Sequence, residues 1–258
     1  MNIQRDEEGY AHIVALSGGK DSTALALHLK EIEDHPYTYV CSPTGDELPD
    51  MIDHWKRLME MLEAPLHPVS SGVSLNGLIK RFNALPNHRM RWCTRILKIE
   101  PFQAMLLGAA PAYVYVGLRA DEEEREGAVY PDINDVIQRY PLREWGWGLK
   151  DVIDYLASNN IIIPVRTDCA RCYAQTLGEW WNLWMDNRPL WEEAVGQEES
   201  IGRHFRSDQR DTWPARLKLM GERFEHGDVP TLSKTTRHQL QMFDDHEEQR
   251  GRCRVCTL

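Results

Sequence analysis

A chain of 258 residues, 42% hydrophobic and 27% charged, reads as a globular protein with room for one α/β domain plus an appendage, or for two small domains. Its formal net charge of −10 argues against a protein that coats nucleic acid nonspecifically, and no run of 18 apolar residues is present to span a bilayer. The first nine residues are polar and acidic rather than signal-like, so cytoplasmic residence is expected; there the six cysteines point to ligands, redox groups or packing residues, not disulfides.

In chain order, a strand over 13–16 runs into Ser17-Gly18-Gly19-Lys20-Asp21-Ser22 and then a helix over 22–32. A strand, a glycine turn and a helix start aim backbone N–H groups and a helix dipole at a phosphate. Ser17, Ser22 and Thr23 add hydroxyls and Lys20 adds a charge, while Asp21 either caps the helix or holds magnesium. The commoner phosphate loop, G-x-x-x-x-G-K-[ST], does not fit, because Val14 and Asp21 stand at its first glycine and its hydroxyl. A strand over 37–41, a helix over 48–62 and a short strand over 66–69 follow. Helices are expected near 75–82 and 94–107, then a strand over 113–116. Alternation of this kind predicts a parallel twisted sheet with helices on both faces, whose ligands bind at the carboxyl edge. Ser17, the 43–47 stretch and the 117–119 stretch all fall at that edge.

From Ala64 to Ile99 there is no Asp or Glu, while Lys80, Arg81, Arg89, Arg91, Arg95 and Lys98 are present with His67 and His88. This basic island is either a focused anion site or a solvated face whose carboxylate partners lie elsewhere in the fold. Beyond residue 148 the character changes. A helix over 149–158 and a strand over 161–165 precede mostly helical sequence to the end, which sets a nucleotide-binding α/β domain over 1–148 against a helical, cysteine-containing region over 149–258. Trp180, Trp181 and Trp184 share one helix face, as core or as a base-stacking platform.

Ser17 to Ser22 resembles the pyrophosphate-binding loop (PP-loop) of the ATP pyrophosphatase superfamily. Four further segments resemble the phosphoadenosine-phosphosulfate (PAPS) reductase branch: Thr44-Gly45-Asp46-Glu47-Leu48-Pro49, the run from Arg91 through Cys93 and Lys98 to Pro101, Gly117-Leu118-Arg119-Ala120-Asp121-Glu122, and Pro141-Leu142-Arg143-Glu144-Trp145. Together they cover roughly residues 11 to 175. The resemblance implies an adenine nucleotide alpha-hydrolase-like sheet and an enzyme that cleaves ATP between its α and β phosphates. Ser17, Gly18, Gly19 and Ser22 would then hold the outer phosphates, with Lys20 neutralising departing pyrophosphate and Asp21 orienting Mg2+. Arg91, Arg95, Lys98 and Arg119, beside Gly117, would face the α-phosphate or an anionic acceptor. Asp46 and Glu47, after Thr44 and Gly45, would contact magnesium or ribose, or act as a helix N-terminal charge pair.

Two departures separate this chain from sulfonucleotide reductases, which resemble one another in a degenerate loop and a C-terminal cysteine followed by Gly and His. Here Lys20 and Asp21 are kept, and the tail reads Cys253-Arg254-Val255-Cys256-Thr257-Leu258. Both favour ATP activation for sulfur transfer. The alternatives are a thiol-dependent reductase and a noncatalytic nucleotide- or nucleic-acid-binding subunit. The implied partners are an adenine nucleotide, a sulfur donor protein or reductant and a nucleic-acid acceptor, with no membrane. The pairs Cys169/Cys172 and Cys253/Cys256 have the C-x-x-C bite of a zinc site, and without a metal the tail pair reads as a redox dithiol. The resemblance instead implies a [4Fe–4S] cluster on Cys93, Cys169 and Cys172, completed by Cys253 or Cys256.

Overall fold

The computed structural model describes residues 1, 3–125, 127, 133–208 and 210–230. Five parallel strands, β1 (Ala11–Ala15), β2 (Tyr37–Cys41), β3 (Leu66–Pro68), β4 (Ala112–Tyr115) and β5 (Val136–Arg139), form one sheet in the order β3-β2-β1-β4-β5. All five residues of β1 are buried, as a central strand covered on both faces requires. Val14 stands opposite Tyr39 on one side and Tyr115 on the other.

Helices α1 (Lys20–Ile32) and α2 (Pro49–Leu62) cover one face together with α7 (Leu149–Ser158). Their Leu25, Leu29, Leu58, Leu62, Val152 and Leu156 pack on Val14, Tyr39 and Tyr115. Helix α5 (Glu100–Ala109) covers the other face, where Phe102 and Leu106 meet Ile13, Val40 and Val114. The chain builds outward from β1 through β2 to β3, then crosses back to β4 on the far side of β1. The β1/β4 gap is therefore the point at which strand order reverses, where open sheets of this type bind ligands. A short α6 (Pro141–Glu144) follows β5.

A third core lies beyond the sheet. Leu78 and Ile79 of α3 (Leu75–Phe82) join Leu97, on the π-helical turn Arg95–Ile99 that follows α4 (Trp92–Thr94). They pack against Trp180 and Leu183 of α8 (Leu177–Asp186), Trp191 of α9 (Arg188–Ile201), and Met220 and Phe224 of α10 (Leu217–Glu225). Trp180 is fully buried and Trp191 nearly so, which makes them core rather than a stacking platform.

Two expectations differ. Residues 161–165 form no strand; Ile161 and Ile163 alternate inward onto the helical layer beside the sheet. The fifth strand is Val136–Arg139, a short edge segment whose Ile137 is exposed and which carries too little hydrophobic signal to read as sheet. Among the described residues, no helix is long and apolar enough to cross a membrane.

Candidate active site

The loop between β1 and α1 is built to bring backbone close to its surroundings. Gly18 has φ +83°, and a Cβ there would lie 2.1 Å from Met51 Cε and 2.8 Å from Trp55 Nε1, so only glycine fits beneath α2. Trp55 Nε1 also donates to the Ser17 carbonyl at 3.3 Å. The two loop hydroxyls meet at 2.9 Å, and Ser22 Oγ accepts from Gly18 N at 3.2 Å. Gly19 is the N-cap of α1, and no side chain caps that helix start.

Charge converges on this turn from across the reversal point. Lys20 Nζ lies 3.1 Å from Asp21 Oδ2, and Arg119 Nη1 lies 3.0 Å from Asp21 Oδ1. Arg119 also reaches Asp121 at 2.8 Å and Glu122 at 3.5 Å. Burial depresses the Lys20 pKa, with Asp21 acting in the opposite sense. Burial also works against the Arg119 charge, but the carboxylates of Asp21, Glu122 and Asp121 hold its pKa above the ordinary arginine value. Gly117 makes this convergence possible: a Cβ there would lie 3.0 Å from Ser22 N and 3.1 Å from Asp21 C. Ser17 to Ser22, Gly117 and Arg119 are thus one group in space.

The second loop, after β2, has another use. Thr44 N and Oγ1 donate to Glu47 Oε1, and Gly45 N to Glu47 Oε2, so Glu47 closes its own turn. Asp46, expected at magnesium or ribose, directs its carboxylate to Arg171 between the cysteines of the first C-x-x-C pair. It accepts from Arg171 N at 3.0 Å and from Nε at 2.7 Å, with Nη2 closer still. Ala170 N donates to the Asp46 carbonyl, and Thr44 Oγ1 lies 3.2 Å from Cys169 Sγ. The Thr44–Glu47 loop therefore holds the cysteine loop, an ion-paired role that nothing in the sequence around Asp46 signals.

Two adjoining cavities of about 30 Å³ each extend from this junction. One runs from Ser17 past Ser42, Glu47 and Trp55 to Lys98, Asp168 and Cys169. The other shares Lys98, Asp168 and Cys169 and adds Cys93, Cys172 and Tyr173. In the first, the buried hydroxyls Ser42 Oγ and Thr167 Oγ1 have no hydrogen-bond partner among the described residues. Burial raises all three thiol pKa values, that of Cys169 to about 12, so the thiols are protonated near neutrality. Three thiols on one cavity are the donor chemistry of a soft metal or cluster. Among the described residues, no group of three or more His, Cys, Asp or Glu side chains is close enough to hold an ion. Cys253 and Cys256 lie outside the described residues.

Lys98 joins this group, but Arg91 and Arg95 do not reach the phosphate loop. Both are exposed at the outer start of the helix that carries Cys93, and Arg95 lies 3.5 Å from Glu100. Sequence reasoning gave no site role to Trp55, Glu122 or Arg171. Glu122 stood inside the motif that begins at Gly117 and Arg171 inside the first C-x-x-C pair, whereas Trp55 stood in no motif.

The sequence model of the phosphoadenosine phosphosulfate reductase domain matches residues 11–165. The chain belongs to that family. The matched stretch includes the Ser17–Ser22 turn and all five strands of the parallel sheet. No curated protein sequence matches the chain. Among solved structures it is similar to phosphoadenylyl-sulfate (PAPS) reductase from Candida auris in a phosphate complex, at 18% identity and TM-score 0.49, covering 59% of this chain and 74% of that one. It is also similar to NH3-dependent NAD synthetase from Campylobacter jejuni subsp. jejuni NCTC 11168 with nitrate ion, at 14% identity and TM-score 0.40, covering 86% and 89%.

Proposed function

We propose that this PAPS reductase family member binds ATP at the β1/β4 junction and cleaves it to AMP and pyrophosphate, activating an acceptor for sulfur transfer. The observation that carries this reading is the meeting of Lys20, Asp21 and Arg119 at an uncapped helix start on the carboxyl edge of the sheet. A nucleophile of the acceptor forms a bond to the α-phosphorus as the bridge to the β-phosphate breaks, and pyrophosphate leaves with the electron pair. Lys20 neutralises the charge that develops on the leaving group, a preorganised electrostatic task. Arg119 holds the α-phosphate oxygens.

Lys20 is buried and, like Arg119, paired with Asp21, and the cavities are far smaller than the ~300 Å³ of a small-molecule site. An incoming triphosphate must therefore draw both cations off Asp21 and part Ser17 from the Trp55 side chain above it. Asp21, once released, is the carboxylate available to magnesium arriving with the nucleotide. Cys93, Cys169 and Cys172 line one cavity with Lys98 and are the thiols that a [4Fe–4S] cluster or zinc would use, with Cys253 or Cys256 as a fourth ligand, although as placed the three are not close enough to hold an ion.

The test is incubation with ATP and Mg2+ followed by separation of the nucleotides. AMP and pyrophosphate are expected; ADP and phosphate alone would overturn the reading. Lys20→Ala should lower the rate by about 10²–10³-fold, as loss of one preorganised donor does elsewhere, with an unchanged fold by circular dichroism. The family match favours a second reading, thiol-dependent reduction of phosphoadenosine phosphosulfate. That reading predicts sulfite release lost when Cys253 and Cys256 are both changed to Ser.

A further inference from the structure

Helices α3 and α9 border an open cavity of about 470 Å³, within the roughly 300–1,000 Å³ of small-molecule sites. Each helix gives it one stripe at i, i+4 spacing: Asn76 and Lys80 from α3, Glu193 and Gln197 from α9. It shares no lining residue with the two small cavities at the cysteines.

Asn76 ties the two walls together. Its Nδ2 donates to Glu193 Oε1 at 2.6 Å, and its Oδ1 accepts from Gln197 Nε2 at 3.1 Å. Both partners keep a second oxygen in reserve. Gln197 is 8% exposed, and its buried Oε1 has no hydrogen-bond partner among the described residues. Glu193 also turns Oε1 to Arg171, which leaves Oε2 without a partner among the described residues. An amide oxygen buried and unpaired is costly in a folded protein, and a donor from outside would satisfy it. Lys80 stands in the last turn of α3, where the helix dipole favours a cation, and makes no hydrogen bond or ion pair among the described residues.

Gly196 points the same way. It stands inside α9, where glycine is a poor helix former, yet a Cβ there would meet no atom within 4 Å. Packing therefore does not call for it, unlike Gly221 of α10, whose Cβ would lie 3.3 Å from Trp191. What the missing side chain leaves is room in the cavity that Gly196 lines.

We propose that this cavity binds a free α-amino acid, whose ammonium donates to Gln197 Oε1 and Glu193 Oε2 and whose carboxylate meets Lys80 Nζ. Ile79 and Ile201 on the same walls suit an apolar side chain. The Glu193 carboxylate and the Gln197 oxygen would repel a phosphate, Lys80 would repel a metal ion, and a sugar would leave both charges unanswered. A small zwitterion matches all three groups. The site lies apart from the proposed ATP site and does not depend on it.

Isothermal titration calorimetry of the whole chain with L-leucine tests this, beside isocaproate, which lacks the ammonium, and L-leucinamide, which lacks the carboxylate. L-Leucine should bind one to one with Kd on the order of 1 mM or below, as suits a ligand of this size. Either truncated ligand should bind at least about tenfold more weakly, as loss of a charge-assisted hydrogen bond does. Lys80→Met should weaken L-leucine by about tenfold and erase its advantage over L-leucinamide. Lys56→Met makes the same charge change at an exposed lysine outside the cavity and should bind as wild type. Gly196→Leu should abolish binding by filling the cavity, with unchanged circular dichroism and an equal or higher urea midpoint, since leucine is the better helix former.

No binding of L-leucine, L-methionine or L-phenylalanine up to about 20 mM, by calorimetry and by saturation-transfer NMR, overturns the proposal. So does binding that survives Gly196→Leu, which places the ligand elsewhere, or equal loss in Lys80→Met and Lys56→Met. L-Leucinamide binding as tightly as L-leucine would mark a site for amines, and isocaproate doing so a site for anions; either sinks the zwitterion. These readouts omit ATP, so their failure leaves the AMP-forming reading untouched, and a chain that makes no AMP would leave this site standing.

Discussion

At the residue scale the site depends on close backbone approach as much as on charge. Gly117 is where the loop after β4 passes the first turn of α1, and the atoms a side chain would meet there are backbone: Ser22 N, Asp21 C and Ser22 Cα, at 3.0–3.1 Å. Backbone cannot rotate aside as a side-chain end can, so Gly117→Ala should destabilise the protein by about 1–3 kcal/mol in urea unfolding, in line with other overpacking changes. It should also weaken ATP binding, because Arg119 reaches Asp21 through that same turn. Gly108, in α5 with open space around it, is the control: Gly108→Ala should stabilise by about 0.5–1 kcal/mol through helix propensity alone. Sequence reading placed Gly117 at the site through resemblance. The reason for the glycine was invisible there, because the backbone it must clear belongs to a segment far away in the chain. The counter-ions of Arg119 were hidden differently. Asp121 and Glu122 stood inside the motif that begins at Gly117, but that both carboxylates would turn to Arg119 was not readable from it.

At the scale of elements, the join between the sheet and the helical region runs through Arg171. Its guanidinium is 3% exposed and is held by Asp46 from the loop after β2, while Nη1 reaches Glu193 on α9 at 2.8 Å. Burial raises the Asp46 pKa, and the hydrogen bonds and charge of Arg171 oppose that rise. Arg171→Ala would strand a carboxylate in the interior, which costs about 3–5 kcal/mol where one partner of a buried pair is removed. Glu193, 40% exposed, is a surface partner, so Glu193→Gln should cost under about 1 kcal/mol. The two variants separate further in thiol chemistry. Loss of Arg171 frees the loop that sets Cys169 against Thr44, so Cys169 should react faster with a maleimide reagent, while Glu193→Gln should leave that rate at the wild-type value. Helices and strands around this join were largely readable from their periodicity, α1, α2 and α3 almost to the residue. The join was not: Asp46 and Arg171 are 125 positions apart, and no local pattern links an acid after one strand to an arginine within a cysteine pair. Helix α7 shows the same limit, since its apolar stripe marks a helix without saying that Val152 and Leu156 pack on the sheet.

At the scale of the whole molecule, the core filled by Trp180 and Trp191 is fastened by one buried acid, and that acid makes its stability depend on pH. Glu198, 3% exposed on α9, accepts from Phe205 N at 2.9 Å through Oε1 and from Leu217 N at 2.7 Å through Oε2, tying the 202–216 connection and the start of α10 to α9. Burial pushes its pKa up to about 7 from an ordinary 4.5, although the two N–H groups, Arg216 and Arg206 favour the charged form. Between those two values the folded protein keeps a proton that the unfolded chain has released, so stability is highest at the acidic end of the window. It falls as pH rises through it, by on the order of 3 kcal/mol at about 1.4 per pKa unit. His204 Nδ1 lies 3.7 Å from Oε2, so the Glu198 contribution is read as the difference between variant and wild type. Glu198→Gln keeps one acceptor and cannot ionise. Urea unfolding of the variant, followed by tryptophan fluorescence from this core, should show a flatter profile than wild type between pH 4.5 and 7, with no difference in slope above pH 8. Parallel profiles across the window would mean that the carboxylate is already charged in the fold and that the two N–H groups outweigh its burial.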